Sequence, residues 1–250
     1  MRPANGAESL DSVSILVMEL QPGFRPQTLC LMEANALTKT KRSGNDNDQI
    51  IPYYVLRVLI GAAGICLPFL LVIGKLIYNG TFQLEYSISD YYDNGTAGDI
   101  LVGVLFALAF FLVSYKGYAS IDSIAANFGC AFALGVALFP TTSPNKFVHY
   151  SHFVFALLLF SDFIFFSIYL FRKKNPNPTA QKEKRNAVYL ICGIIMIICI
   201  VTIAVSEFLL SNDVRNRLHP VFWMESLALF AFGFSWVTKA EMVFGDGNQK

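Results

Sequence analysis

The sequence predicts an all-α polytopic membrane protein, with six transmembrane helices in one bundle and both termini cytoplasmic. Hydrophobic residues make up 54% of the 250 and charged residues only 15%, against about 25% charged in soluble domains. The mean hydropathy is +0.49. The apolar residues gather into runs of about 20, the length that crosses the hydrocarbon core of a bilayer as a helix. A soluble all-helical fold would have to bury every one of these runs within a short chain.

The first span is expected over 54–78, "YVLRVLIGAAGICLPFLLVIGKLIY". The second covers 99–118, directly after the acidic, hydroxyl-rich stretch "SISDYYDNGTAGD". The third, 121–139, is the weakest signal, because Asp122 and Asn127 lie in its first half. It carries Ala125, Gly129, Ala133 and Ala137 at four-residue spacing. Such a stripe lets backbones approach closely and predicts a central place in the bundle. Ala107 in the second span and Gly61 and Gly64 in the first offer similar contacts. Pro140 and Pro144 end the third span. The fourth span is expected over 148–171, the fifth over 187–210 and the sixth over 220–244. Together they form a 51–244 transmembrane domain, followed by a 245–250 tail.

Orientation follows from basic residues in short loops. The loop "RKKNPNPTAQKEKRN" between the fourth and fifth spans holds Arg172, Lys173, Lys174, Lys182, Lys184 and Arg185 against the single acid Glu183. It is therefore expected to be cytoplasmic. The SISDYY loop, free of lysine and arginine, then faces the other side. A formal net charge of +1 and the lack of a basic patch interleaved with aromatics argue against a nucleic-acid partner. The basic loop reads as a topology determinant that also suits anionic lipid.

Residues 1–50 differ from the rest. "SILVMEL" is too short to span and holds Glu19, and no signal-peptide pattern precedes it. The segment reads as a flexible cytoplasmic lead-in, with Met32 an alternative start that would make 1–31 non-native. Cys66, Cys130, Cys192 and Cys199 fall inside predicted helices and Cys30 in the leader, with no CxxC pair, so they read as small core residues. The "NGT" triplets at 79–81 and 94–96 match a glycosylation sequon, relevant only in a eukaryotic source.

The rare polar residues gather at the expected outer end. His149 and His152 open the fourth span, and His219 precedes the sixth. Asp90, Asp93 and Asp99 lie on the same side, with Glu207 near the outer end of the fifth span. Glu225 lies six residues past His219, about 9 Å deeper. His149 and His152, spaced i, i+3, can face one neighbourhood. Three readings remain open for them: interface histidines with one wet end, a proton- or ligand-binding site, or a weak metal or acid–base site. Glu225 and Asp162 are ionisable groups within spans and are expected to face the bundle interior or a polar cavity. Asp162 is expected to pair with Lys75, Asn127 or backbone groups. The candidate outer pocket is therefore Ser89, Asp90, Asp99, His149, His152, His219 and Glu225. Ser87 adds a further hydroxyl, Tyr91 and Tyr92 suit the headgroup zone, and His149 is expected to face Glu225 beneath a Ser89–Asp90 lid.

"SISDYY", "GDILVGVLFALAFFLVSYKGY", "FALGVALFPT", "VHYSHFVFALLLF" and "PVFWMESLALFAFGFSWVTKAE" resemble a bacterial family of six-helix integral membrane proteins of unassigned function. The resemblance covers about 54–242. More distantly, the chain is similar to eukaryotic membrane proteins that include autophagy modulators and GPI-anchor lipid-remodelling factors. The shared residues are Ile88, Ser89 and Asp90, His149, and Glu225; His152 is outside that pattern. The resemblance implies a bacterial inner-membrane location and a lipid-related role, and assigns no reaction or cofactor. The expected function is binding of a lipid or small ligand at the outer-face pocket. A membrane-embedded hydrolase or lipid-remodelling enzyme is the alternative. A small-molecule or proton-coupled transporter ranks third, since no inverted repeat or broken midplane helix shows.

Overall fold

Six helices of the computed structural model are long and apolar enough to cross a membrane. The structure describes residues 52–80, 82–117, 119–173 and 178–245, all within the unit Ile51–Lys250. The expected leader over 1–50 and most of the 245–250 tail lie outside these residues. The spanning helices are α1 (Tyr53–Asn79), α2 (Thr96–Ser114), α3 (Ser120–Leu138), α4 (Lys146–Phe165), α5 (Ala180–Leu209) and α7 (Pro220–Lys239). A short α6 (Asn212–Leu218) lies between α5 and α7. The chain is an all-helical, multi-pass membrane bundle, and no strand occurs among the described residues.

Local chemistry sets the helix ends. Gly80 closes α1 in the left-handed region (φ 68°), its N–H donating to Leu76 O at 2.9 Å. That conformation carries no penalty for glycine. The Asn145 side chain caps α4 by accepting from Phe147 N–H at 2.9 Å, and Thr179 caps α5 by accepting from Lys182 N–H at 3.1 Å. Pro220 occupies the first turn of α7, where no intrahelical N–H partner is needed. At its far end α4 widens into a π-turn over Phe166–Leu170, beside which the Ser167 and Ser235 hydroxyls meet at 2.9 Å.

Three spans differ from the sequence expectation, and the second runs Thr96–Ser114 rather than 99–118 because the chain turns extended at Tyr115. The fifth span begins at Ala180 rather than 187, so Lys182, Lys184 and Arg185 ride on the helix instead of in a loop. Their long stems lie along the bundle while their heads find partners. Lys182 donates to Phe171 O at 2.8 Å, and Arg185 to Phe244 O at 2.6 Å. The sixth span ends at Lys239 rather than 244, because the chain turns back through positive φ at Glu241 and Phe244. Asp122, the awkward acid of the third span, is buried but answered: it pairs with Lys173 at 2.5 Å and accepts from Ala119 N–H at 3.0 Å.

Packing follows the small residues. Ala125, Gly129, Ala133 and Ala137 are all buried, and α3 lies between α2 and α4. Helix α7 is the most enclosed, with 61% of its span buried against 28% for α5. It packs on α1 and α5, and α1 crosses it glycine to glycine: a Cβ on Gly61 would lie 2.7 Å from Gly233 O. Stacked Phe163 and Phe232 rings, 3.7 Å apart, join α4 to α7. By contrast α4 and α5, though consecutive, touch only sparsely. A gap therefore remains between them.

Candidate functional site

The segment between α1 and α2 is fastened across one end of the bundle. Its 3₁₀ turn over Ser89–Asp93 places the Tyr91 ring in the core, 6.1 Å from Phe222. Tyr86 O accepts from Phe222 N–H at 3.0 Å, satisfying one of the orphan donors of the α7 first turn. Glu225 Oε2 accepts from Ile88 N–H at 2.6 Å. Tyr92 donates to Ala137 O at 3.2 Å, tying the strap to α3. Lys75 of α1 pairs with Glu85 and sits 5.8 Å from the Tyr91 ring centroid.

Beneath this strap lie two adjoining chambers whose walls share Ser89, Ala156, Phe160 and Glu225. The outer one, about 300 Å³, opens along the gap between α4 and α5. Tyr86, Ser87, Ser89, Asp90, Thr141, Glu207 and Glu225 give it a polar rim. Phe153, Ala156, Leu157 and Phe160 of α4, Ile200 and Ile203 of α5, and Val221 of α7 give it apolar walls. The inner chamber, about 60 Å³, shares Ser89, Ala156, Phe160 and Glu225 and adds His152 and apolar residues from α1, α2, α3 and α7. Larger in volume, at about 600 Å³, is a groove on the flank of α1, α5 and α7. It is lined entirely by apolar side chains, so nothing there specifies a headgroup.

The polar rim has a definite charge pattern. Glu207 is exposed, pairs with Arg215 of α6 and accepts from the Tyr86 phenol. Burial, then its bond to Glu207, pushes the Tyr86 phenol up to about 12, so it stays protonated as a donor. Burial also raises the Asp90 carboxyl above its ordinary value. The Ser87 hydroxyl opposes that rise, and the charge of Glu85 adds to it. Thr141 is only 8% exposed, and its hydroxyl finds no protein partner although it borders the outer chamber.

The structure brings Ser87, Ser89, Asp90, Glu207 and Glu225 to the outer chamber and His152, with Ser89 and Glu225, to the inner one, and leaves Asp99, His149 and His219 outside both. His149 does not share the chamber with Glu225. Its Nδ1 faces Thr141 O, and its ring lies edge-on to Tyr150 and Phe153. His152 takes the inward position, 2% exposed, with Nδ1 2.7 Å from Phe139 O. Each histidine thus commits one ring nitrogen to the α3–α4 turn. Among the described residues no group of three or more His, Cys, Asp or Glu is placed to hold a metal ion. Asp99 is exposed on the first turn of α2, and His219 sits at the α6–α7 junction in the left-handed region (φ 47°). Asp162 is buried on α4, but Lys75 is engaged with Glu85 and Asn127 points outward. Its Oδ2 has no partner, and a Cβ on Gly129 would lie 2.5 Å from it. Tyr86, Thr141 and Arg215 are the site residues that sequence reasoning missed. Comparison with family models, with curated proteins and with solved structures returns no match to this chain.

Proposed function

We propose that the chain binds a membrane amphiphile in the strap-covered cavity, with the headgroup at the polar rim and the hydrocarbon in the α4–α5 gap. One observation carries the reading: a single cavity joins a rim of hydroxyls and carboxylates to an apolar trench at the flank of the bundle. Ligand sites commonly combine apolar walls with a few convergent polar groups. The sparse α4–α5 contact supplies an entrance that needs no passage through water. We place the protein in a bacterial inner membrane with the basic segment cytoplasmic and the strap outside, on the charge asymmetry and the motif resemblance.

Native mass spectrometry of the chain released from a neutral detergent tests this. Wild type is expected to retain one co-purified amphiphile per chain, and Ala156→Trp, which fills the wall shared by both chambers, to lose it. Equal retention by both would refute the reading.

A second reading, a membrane-embedded hydrolase or lipid-remodelling enzyme, is favoured by one observation. His152 and Glu225 line the same inner chamber, and an imidazole and a carboxyl at one site are suited to acid–base work. Turnover of a bound amphiphile that stops in His152→Gln, with retention unchanged, would distinguish an enzyme from a binder.

A further inference from the structure

We propose that the cavity selects amphiphiles whose headgroup carries an ammonium cation. This rests on the reading of the cavity as an amphiphile site and specifies the ligand class.

The inference comes from the carboxyl groups left without a cation at the rim. Three carboxylates line the outer chamber: Asp90, Glu207 and Glu225. No lysine, arginine or histidine lines it. Glu207 is answered by Arg215 and by the Tyr86 phenol. Glu225 receives the Ile88 N–H, a neutral donor that occupies one of its two oxygens. Asp90 has the Ser87 hydroxyl beside it, again neutral. Lys75, the basic residue of the strap's own docking site, is committed to Glu85. Two carboxyl groups therefore face one small space, and the nearest basic side chain of the protein is the buried imidazole of His152 in the adjoining chamber, whose Nδ1 is committed to Phe139 O.

A phosphate or carboxylate headgroup would bring like charge against both, in a setting where water screens poorly. An alcohol would satisfy hydrogen bonds without forming an ion pair with either carboxyl. An ammonium meets both requirements. A primary ammonium has three donors and no acceptor. Asp90, Glu225 and the Thr141 hydroxyl supply acceptors at the rim, and Thr141 is the independent sign of a ligand here. It is more than nine-tenths buried, borders the chamber and lacks a partner within the protein. The Phe153 and Phe160 rings in the adjoining wall favour a cation further. Leu157, Ile200 and Ile203 then receive the methylenes.

The test loads the purified full chain, in neutral detergent, with a trace of hexadecylamine, hexadecanol or hexadecyl phosphate, and reads retention by native mass spectrometry. The amine is expected to be retained at least about tenfold more than the phosphate, and more than the alcohol. Asp90→Asn combined with Glu225→Gln is expected to bring the amine down to the level of the alcohol. Glutamine keeps an oxygen for the Ile88 N–H, and a thermal melt confirms that the double variant is folded. Asp93→Asn with Asp99→Asn removes the same charge from exposed positions outside the cavity and is expected to leave the preference intact. Equal or greater retention of alcohol or phosphate overturns the ammonium selection while the cavity remains an amphiphile site. A control variant that loses the preference as fully as the cavity variant also overturns it, since surface charge then accounts for the result. Retention of every probe at the level of Ala156→Trp overturns the binding reading itself.

Discussion

Replacing Gly61 by alanine tests the crossing that holds α1 against α7. The added Cβ would stand 2.7 Å from Gly233 O and 2.7 Å from Val237 Cγ2, where ordinary contact begins near 3.4 Å. The shortfall of about 0.7 Å falls partly on a backbone carbonyl, which no rotamer change can move. The helices must part, and the neighbouring contact of Gly64 with Phe232 loosens with them. Overpacking of this kind costs about 1–3 kcal/mol. Alanine also gains up to ~1 kcal/mol of helix propensity over glycine, which would mask part of that cost. Gly103→Ala removes the ambiguity. It makes the same chemical change inside α2, where a Cβ has nothing within 4 Å. The difference between the two variants is then the packing cost alone. For a chain of this size it corresponds to a melting temperature lower by roughly 2–12 °C. Thermal unfolding in one detergent at one protein concentration measures it. If Gly61→Ala melts with Gly103→Ala, the two helices do not cross at their glycines.

Three further outcomes are expected. Gly129→Ala should destabilise by about 1–3 kcal/mol because its Cβ meets the buried Asp162 carboxyl, and Asp162→Ala should restore most of that loss; additive melting shifts in a double-mutant cycle would show that the two do not touch. Single cysteines at Lys184 and Asp93, in a background without the native thiols, should react with an impermeant maleimide from opposite sides of the membrane; labelling of both from one side would reject the orientation. Burial keeps Asp90 protonated in the folded chain to a higher pH than in the unfolded chain, whose ordinary value is near 3.8. Folded-state stability therefore falls as pH rises from there through the folded value and then levels. With Glu85, His152 and Ser87 left in place, Asp90→Asn should gain stability relative to wild type as pH rises above that ordinary value; parallel melting curves for the two proteins would remove Asp90 from the buried rim.

The spans were legible because a run of about 20 apolar residues is a one-dimensional signal that tertiary packing seldom overrides. The α3 stripe was legible for a related reason: small residues at four-residue spacing fall on one face whatever the neighbours are. The start of α5 was not. Lys182, Lys184 and Arg185 read as loop on charge alone, yet their partners are carbonyls and rings brought near only by the fold. At the site, Ser89, Asp90 and Glu225 stood out as polar groups beside or within lipid-like sequence. Which histidine turns inward was not decidable from i, i+3 spacing. The rotation of α4 is set by its packing on α3, and it turns His152 in and leaves His149 half-exposed. The Glu207–Arg215 pair was hidden because it bridges the break between α5 and α6. Asp162 meets neither of its expected side-chain partners, because Lys75 is claimed by Glu85 in the strap and Asn127 turns outward.

The bond from Ile88 to Glu225 joins residues 137 positions apart in the chain. At a synthesis rate of about 5–20 residues per second, the strap leaves the ribosome roughly 7–27 s before its anchor exists. Through that interval α1 to α4 can assemble around their small residues, but the strap has neither the Phe222 N–H nor the Glu225 carboxylate to hold. Arrival of the last helix is therefore the event that seals the cavity. A chain stalled before α7 would leave the strap without either of these two anchors.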